Sequence, residues 1–288
     1  MTEPNELIKD ILECTACHHR LRYVAEKGFV CTSCNAIYPC EDGSVILQEI
    51  APGGTQRHPG ELFLMLKEFF KKFPRFYYFL VHLVGAVPLK MTPHKFVKGI
   101  PRGKRILNVG SGPHILRDDV INLDAFRYPG VSIVSPAQAI PLASGSIDAI
   151  VCDNLLEHVP EPKAVLREMQ RVLKPGGVAF IGTPFIIGVH ASPVDFYRWT
   201  DEGLRLLCKD FFEEKELGIA YGPTGGTLFV LQAWLALLLS FNIRVLYDFW
   251  QLFFMALFIP LRPLDWILCH YSLARVNALN FYYIGHKR

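Results

Sequence analysis

Three sets of residues in this 288-residue chain have types and spacings suited to chemistry. Cys14-Thr-Ala-Cys17 and Cys31-Thr-Ser-Cys34 are two Cys-x-x-Cys pairs. Each pair places two thiolates on one tight turn, and two facing turns complete a tetrahedral site that suits zinc. All four positions are thiols and none stays open, so the expected metal is structural; the plain alternative is a ribbon that folds without metal. The second set is Gly110-Ser111-Gly112, after the apolar Ile106-Leu107-Asn108-Val109, with Asp124 closing the run Val120-Ile121-Asn122-Leu123. Glycines let backbone approach a ligand with no Cβ in the way, and a carboxylate at a strand end can accept from both hydroxyls of a ribose. The third set is His190, Asp195, Tyr197 and Arg198, a cluster of a base, an acid and two polar anchors in one short stretch.

The elements that must position these groups can be read along the chain. Ile106–Val109, Val120–Asp124, Ser146–Cys152 and Val178–Ile181 are apolar or β-branched runs, hence strands. Between the last two, Val165, Leu166, Met169 and Val172 recur at helical spacing, with Pro162 near the start and Lys174-Pro175-Gly176-Gly177 as the stop. Alternating strand and helix predicts a parallel, doubly wound sheet, which binds ligands outside the carboxyl ends of its strands.

The segments Asn108-Val109-Gly110-Ser111-Gly112, Ser146-Ile147-Asp148-Ala149-Ile150-Val151, Leu156-Glu157-His158-Val159 and Arg171-Val172-Leu173-Lys174-Pro175-Gly176-Gly177 resemble class I S-adenosylmethionine-dependent methyltransferases of the type 11 group. The resemblance covers roughly residues 101–220 and the last strand. It implies a Rossmann-like α/β sheet of seven strands, the last antiparallel at Phe281–Gly285 and its predecessor at Phe212–Ala220. It implies S-adenosylmethionine as cofactor, bound by Asn108, Gly110, Ser111, Gly112, Asp124, Asn154 and Leu155, with Ala137 and Gln138 at the adenine. Two departures stand out. Asn108 occupies a position where relatives often carry an acid, and Ser135–Leu142 lacks the Asp and Leu-Pro-Phe common in the adenine loop. Gly112 to Asp124 is also short, so the first helix should be curtailed. The cysteine segment resembles a small zinc-ribbon domain found alone as a methyltransferase activator and fused to the front of some bacterial methyltransferases. Cys40 is expected in the core beside a hairpin turn, and His18 and His19 in solvent.

Composition organises the rest. Residues 1–50 form the ribbon, 51–100 a basic aromatic amphipathic helical linker, 101–222 with 275–288 the methyltransferase domain, and 223–274 an apolar helical insert. Met1–Glu13 has no long apolar core, so no secretory signal is expected. The chain should sit in the reducing cytosol, where its eight cysteines stay unpaired. From 51 to 105, eleven lysines and arginines face only Glu61 and Glu68, interleaved with aromatics. Such a stretch suits an anionic membrane surface, with packing on the catalytic domain or RNA binding as alternatives.

Leu228–Leu239 is nearly all apolar and Phe249–Leu261 carries no charged residue, and Arg244 and Asp248 lie between them. Each is short of a membrane span, so a monotopic hairpin dipping into one leaflet is expected, with a buried pair or a homodimer interface as alternatives. The insert lies between the last two strands and must emerge at the cofactor edge. The function this predicts is methylation of a lipid, lipid-linked sugar or similar amphiphile at the inner face of the cytoplasmic membrane. His190 is the candidate general base, Asp195 its orienter, and Tyr197 and Arg198 hold the acceptor; the plain alternative is an Asp195–Arg198 pair bracing the loop. Adenine amino-methylation needs an Asp/Asn-Pro-Pro-aromatic box where Asp153-Asn154-Leu155-Leu156 stands, and cytosine carbon methylation a Pro-Cys turn. Nucleic acid is therefore disfavoured as acceptor. RNA methylation through the basic arm and a non-catalytic scaffold are the alternative functions.

Overall fold

The computed structural model describes residues 5–48, 87, 90–190 and 194–288. Most of the expected basic linker lies outside these residues; its end forms α1 (Pro93–Lys98), capped by the Thr92 hydroxyl accepting from the Lys95 amide. Upstream are β1 (Leu21–Val24), β2 (Gly28–Cys31), β3 (Ile37–Tyr38), β4 (Cys40–Glu41) and β5 (Ser44–Ile46). Downstream come β6 (Ile106–Val109), β7 (Val120–Asp124), β8 (Ile133–Val134), β9 (Ile147–Asp153), α2 (Pro162–Val172), β10 (Leu173–Pro184), α3 (Asp201–Cys208) and β11 (Phe212–Tyr221). The chain ends with α4 (Pro223–Ser240), α5 (Arg244–Leu257), short helical turns and β12 (Asn280–Lys287).

Strands β6 to β12 stand in the order β11-β12-β10-β9-β6-β7-β8. Only β12 is antiparallel, pairing with β10 and β11; the others run parallel. This is the doubly wound seven-stranded sheet expected. β6 and β7 are buried along their whole length, as continuous apolar runs covered on both faces must be. Helix α2 lays Val165, Leu166, Met169 and Val172 on one face, all fully buried. Each such side chain contributes about 1.5–3 kcal/mol by leaving water.

Three features differ from the sequence reading. No helix forms between β6 and β7: Gly110 and Gly112 hold left-handed φ, and residues 110–119 run as turns. In place of a helix, Arg117 donates to the carbonyls of Val97 and Ile100 at 2.7 and 2.9 Å and pairs with Asp119, tying the turn to α1. Second, the ribbon is not set apart from the catalytic domain. β1, β2 and β3 make their own sheet, but β5 pairs in parallel with β8 and carries β4 with it, extending the main sheet to nine strands. Third, α4 begins at Pro223, before the apolar cluster. At 18 residues and mean hydropathy 1.4 it is long and apolar enough to cross a membrane by length and composition alone, although 39% of it is buried.

α4 and α5 form a helical hairpin closed by Phe241 and Asn242, both in left-handed conformation. Its base is pinned by Asp265, whose buried carboxylate accepts from the amides of Thr224 and Gly225 at 2.7 and 3.1 Å. A carboxylate on the free N–H groups of a first turn also meets the positive end of the helix dipole.

Candidate active site at the carboxyl edge of the sheet

The turn after β6 is held from two sides. The amides of Gly110 and Ser111 donate to the Leu123 carbonyl at 2.9 and 3.1 Å. The Gly112 amide donates to Asp124 Oδ2 at 2.8 Å, and the Phe126 amide to Oδ1 at 2.9 Å. Gly110 is required twice over: its φ is +70°, and a Cβ there would lie 2.8 Å from Leu155 Cδ1. Burial raises the Asp124 pKa, partly offset by these amides. Asp124 therefore stands at the strand end, oriented by backbone, with carboxylate lone pairs left for a diol.

Of the other residues expected at the cofactor, Asn154 follows the end of β9 and Ala137 and Gln138 lie in the loop after β8, but Asn108 does not reach the edge. Asn108 lies lower in the sheet, where it donates to Asn122 Oδ1 at 3.2 Å, and Asn122 donates to the Gly130 carbonyl. It acts as a cross-strand brace, a role an amide fills better than an acid. Asn154, at φ +50°, donates its amide to the Gly182 carbonyl and accepts from Asn280 Nδ2 at 2.7 Å. This locks the ends of β9, β10 and β12 together. Ala137 is buried and Gln138 half-buried in the loop after β8. That loop is fixed by Arg171, which donates to the carbonyls of Ile140 and Leu142, and by the ribbon, whose Glu13 amide donates to Pro141 and whose Ile11 carbonyl accepts from Ala143.

In the ribbon the four thiols converge. Sγ separations are 3.6 Å for Cys14–Cys34, 3.4 Å for Cys17–Cys31 and 3.5 Å for Cys17–Cys34. These are far beyond a disulfide and near the roughly 3.8 Å edge of a tetrahedron with zinc–sulfur bonds of about 2.3 Å. The amides of Ala16, Ser33 and Cys34 donate to these sulfurs, which favours thiolates. The donor set fits zinc. Cys40 is buried, as expected of a core residue.

The third set is more interlocked than its sequence suggested. Arg198 donates to both Asp195 oxygens at 2.5 and 2.6 Å, to the carbonyls of Gly188 and Tyr197, and to His190 Nδ1 at 3.2 Å. Asp195 Oδ2 also accepts from the His190 amide at 2.9 Å. Burial would raise the Asp195 pKa, but these donors hold it down at about 2. Arg198 thus ties Gly188 and His190 to Asp195. Tyr197 turns away and donates to the Pro160 carbonyl at 2.8 Å. His190 does face the β9 edge, and meets two residues not singled out as its partners: Glu157 and His158. Glu157 Oε1 lies 3.5 Å from His190 Nε2 and 3.7 Å from His158 Nε2. The available signal was the adjacent Glu-His pair just beyond a buried strand.

Asp153 ends β9 beside this group. Burial, reinforced by the charge of Glu157, pushes its pKa up to about 7. Next to the loop a cavity of about 640 Å³ opens between α4 and α5, walled by Val230, Ala233, Trp234, Leu237 and Tyr247, with Gly188 at its inner side.

The order of strands and this carboxyl-edge site define an α/β fold of the S-adenosylmethionine-dependent methyltransferase type, and comparison with known proteins agrees. Residues 117–181 match the model of a methyltransferase domain, a stretch that begins just after the Gly110–Gly112 turn. A ubiquinone biosynthesis O-methyltransferase of Xanthomonas axonopodis pv. citri (strain 306) is 31% identical over 110 residues, covering 29% of this chain and 44% of that protein. One from Pseudomonas aeruginosa (strain UCBPP-PA14) is 30% identical over 103 residues, covering 28% and 44%. The chain thus spans less than half the length of these curated relatives. Among solved structures, a Burkholderia thailandensis 1,6-didemethyltoxoflavin-N1-methyltransferase with S-adenosylhomocysteine bound is similar over 82% of this chain and 92% of that one, at 12% identity and a TM-score of 0.44.

Proposed function

We propose that the chain transfers a methyl group from S-adenosylmethionine to a hydroxyl oxygen of a small amphiphile at the inner face of the cytoplasmic membrane. The cofactor, when bound, supplies a sulfonium whose methyl carbon is already activated. Asp124 would hold its ribose, the Gly110–Gly112 turn its amino-acid end, and the Ala137–Gln138 loop its adenine. The protein's remaining task is alignment and exclusion of water, and alignment of this kind is worth about 7–11 kcal/mol of barrier. A hydroxyl must also lose its proton, and His190, beside Glu157 and His158, stands where that proton would be received. The four ribbon thiols would hold a structural zinc.

The observation that carries the acceptor class is the apolar cavity between α4 and α5. Its inner wall is Gly188, two residues from His190, and it opens among apolar side chains such as Trp234 and Leu237, both more than half exposed. An acceptor with a polar head at His190 and an apolar tail along α4 fits this layout, and the tail would enter from a membrane. The names of the relatives, which are O-methyltransferases of ubiquinone biosynthesis, support oxygen as the accepting atom. The test has two parts. Calorimetry should give micromolar S-adenosylhomocysteine binding that Asp124→Ala abolishes. Lipid extracts of cells with and without the gene should differ by a species heavier by one CH2; an unchanged lipid extract beside a methylated water-soluble metabolite would sink the amphiphile.

A further inference from the structure

We propose that Asp153 is the group that receives the acceptor's proton, and that the positive charge of the bound cofactor prepares it to do so. The inference rests on the methyltransferase reading and moves the proton from His190 to Asp153.

Position comes first. Val109 pairs with Leu123 on one side and Cys152 on the other, and Asp153 pairs with Gly182. The residues that follow Leu123, Val109 and Cys152 are Asp124, Gly110 and Asp153, so these three share one rung with Gly182. Val120, Val151 and Phe180 belong to one apolar cluster on one face of the sheet. The two-residue period puts Asp124 and Asp153 on that same face, two strand spacings of about 4.8 Å apart. With adenine, ribose and amino-acid end assigned to β8, β7 and β6, the end of β9 is the first one left for the acceptor. Next to it β10 leads to Gly188, the inner wall of the apolar cavity.

The carboxyl group is seated by Gly182, where a Cβ would collide with Asp153 Oδ1. Asp153 stays half-buried, so a ligand can reach it. Three titratable groups act with it. Burial and then the charge of Glu157 push the Asp153 pKa up to about 7. The Tyr221 hydroxyl and the Cys152 thiol are raised by burial and further by the charge of Asp153. A pKa near ambient pH is where a general base works best. His190 is less free to serve. Its Nδ1 accepts from Arg198 at 3.2 Å, so the neutral ring carries its hydrogen on Nε2, 3.5 Å from Glu157 Oε1.

The chemistry then balances within the cleft. A base in hydrogen-bond reach of an oxygen poised for attack lies about 6–7 Å from the sulfonium. At an effective dielectric of roughly 20, a unit positive charge there lowers a carboxyl pKa by roughly one to two units. Asp153 is therefore ionised when the cofactor is bound. In the transfer, the acceptor oxygen forms its bond to the methyl carbon and its proton passes to Asp153. The carbon–sulfur bond breaks and its electron pair stays on sulfur. One positive and one negative charge vanish together, so the half-buried edge never holds an uncompensated charge. Asp153, its pKa restored to about 7, keeps the proton until solvent removes it.

Calorimetry with S-adenosylmethionine and S-adenosylhomocysteine, from pH 6 to 8, reads this without any acceptor. In wild type the preference for S-adenosylmethionine should rise roughly five- to tenfold across that range, because only the sulfonium gains from an ionised Asp153. Asp153→Asn should bind both ligands and hold their ratio within about twofold, having no group left to titrate. His190→Ala removes the rival base and should keep the wild-type slope, so the test stands even if Asp153→Asn misfolds. A slope that survives Asp153→Asn, or one lost in His190→Ala, overturns the assignment. Binding of both ligands to wild type with a flat ratio sinks Asp153 alone. Binding of neither sinks the methyltransferase reading and this role with it.

Discussion

The ribbon and the α4–α5 hairpin are both additions to one sheet, at opposite ends of it, and they are fastened differently. The ribbon joins by backbone: β5 lies along β8, the Leu47 amide donates to the Val134 carbonyl, and Leu12 bridges Leu142. Its core residues Ile8, Leu12 and Phe29 are fully buried within the same apolar cluster as Leu107 and Ile121 of the main sheet. The hairpin is held at its base by the Asp265 carboxylate, while Trp234, Leu237, Leu238 and Phe241 face outward. An element knitted in by backbone shapes what it touches, here the Pro136–Leu142 loop.

The largest effect should come from the ribbon. The zinc proposed for the four thiols would contribute about 10–16 kcal/mol of binding that is also folding energy. Stripping it, or replacing Cys14 and Cys17 by serine, should unfold residues 5–48 and weaken S-adenosylhomocysteine binding, because the Pro136–Leu142 loop loses its support. Circular dichroism and calorimetry on one sample would show both; an unfolded ribbon with unchanged cofactor affinity would break the contrast.

A smaller effect, of a different kind, is expected in the hairpin. Replacing Trp234, Leu237 and Leu238 together by serine removes about 1.5–3 kcal/mol of apolar transfer per side chain. Flotation with anionic vesicles should fall by more than about tenfold. Melting temperature should hardly move, as these are exposed positions. A large loss of stability would mean the face is buried in a dimer.

The smallest effect is a pH dependence confined to the cofactor edge. Burial raises the Asp124 pKa, so the carboxylate protonates at a higher pH than an exposed aspartate. Ribose binding requires the ionised form as double acceptor. S-adenosylhomocysteine affinity should therefore be full at neutral pH and decline on acidification, starting above the usual carboxylate range near 4. Asp124→Asn should be weak and flat across that range. Vesicle binding should not follow this curve.

The core strands were legible because buried parallel strands are written mostly in apolar residues, as in Val120–Leu123 and Ile147–Cys152, which only Asn122 and Asp148 interrupt. The cysteine spacing was legible for the same local reason. The missing first helix was half visible, since Gly112-Pro113 and a short interval to Asp124 leave little room for one. The union of ribbon and sheet was not, because β5 and β8 are three and two residues long and carry no periodicity. Nor was the meeting of Glu157 with His190, separated by 33 positions and joined only where Asp195 and Arg198 hold Gly188 and His190 in place. Arg198 reads equally as an anchor or a brace until its five partners are seen.

The pairing of β5 with β8 has a further consequence for colloidal behaviour. A parallel sheet ending in a two-residue strand would present open amide and carbonyl groups, a template on which another polypeptide could add. The hairpin of β4 and β5 occupies that margin and leaves only the two-residue β4 at the rim. The opposite margin, β11, is guarded by other means: Glu213, Glu214, Lys215 and Glu216 crowd its outer rung with charge. One fold thus blunts its two rims by two devices, a borrowed hairpin and a fence of charged side chains, and both discourage fibrous stacking.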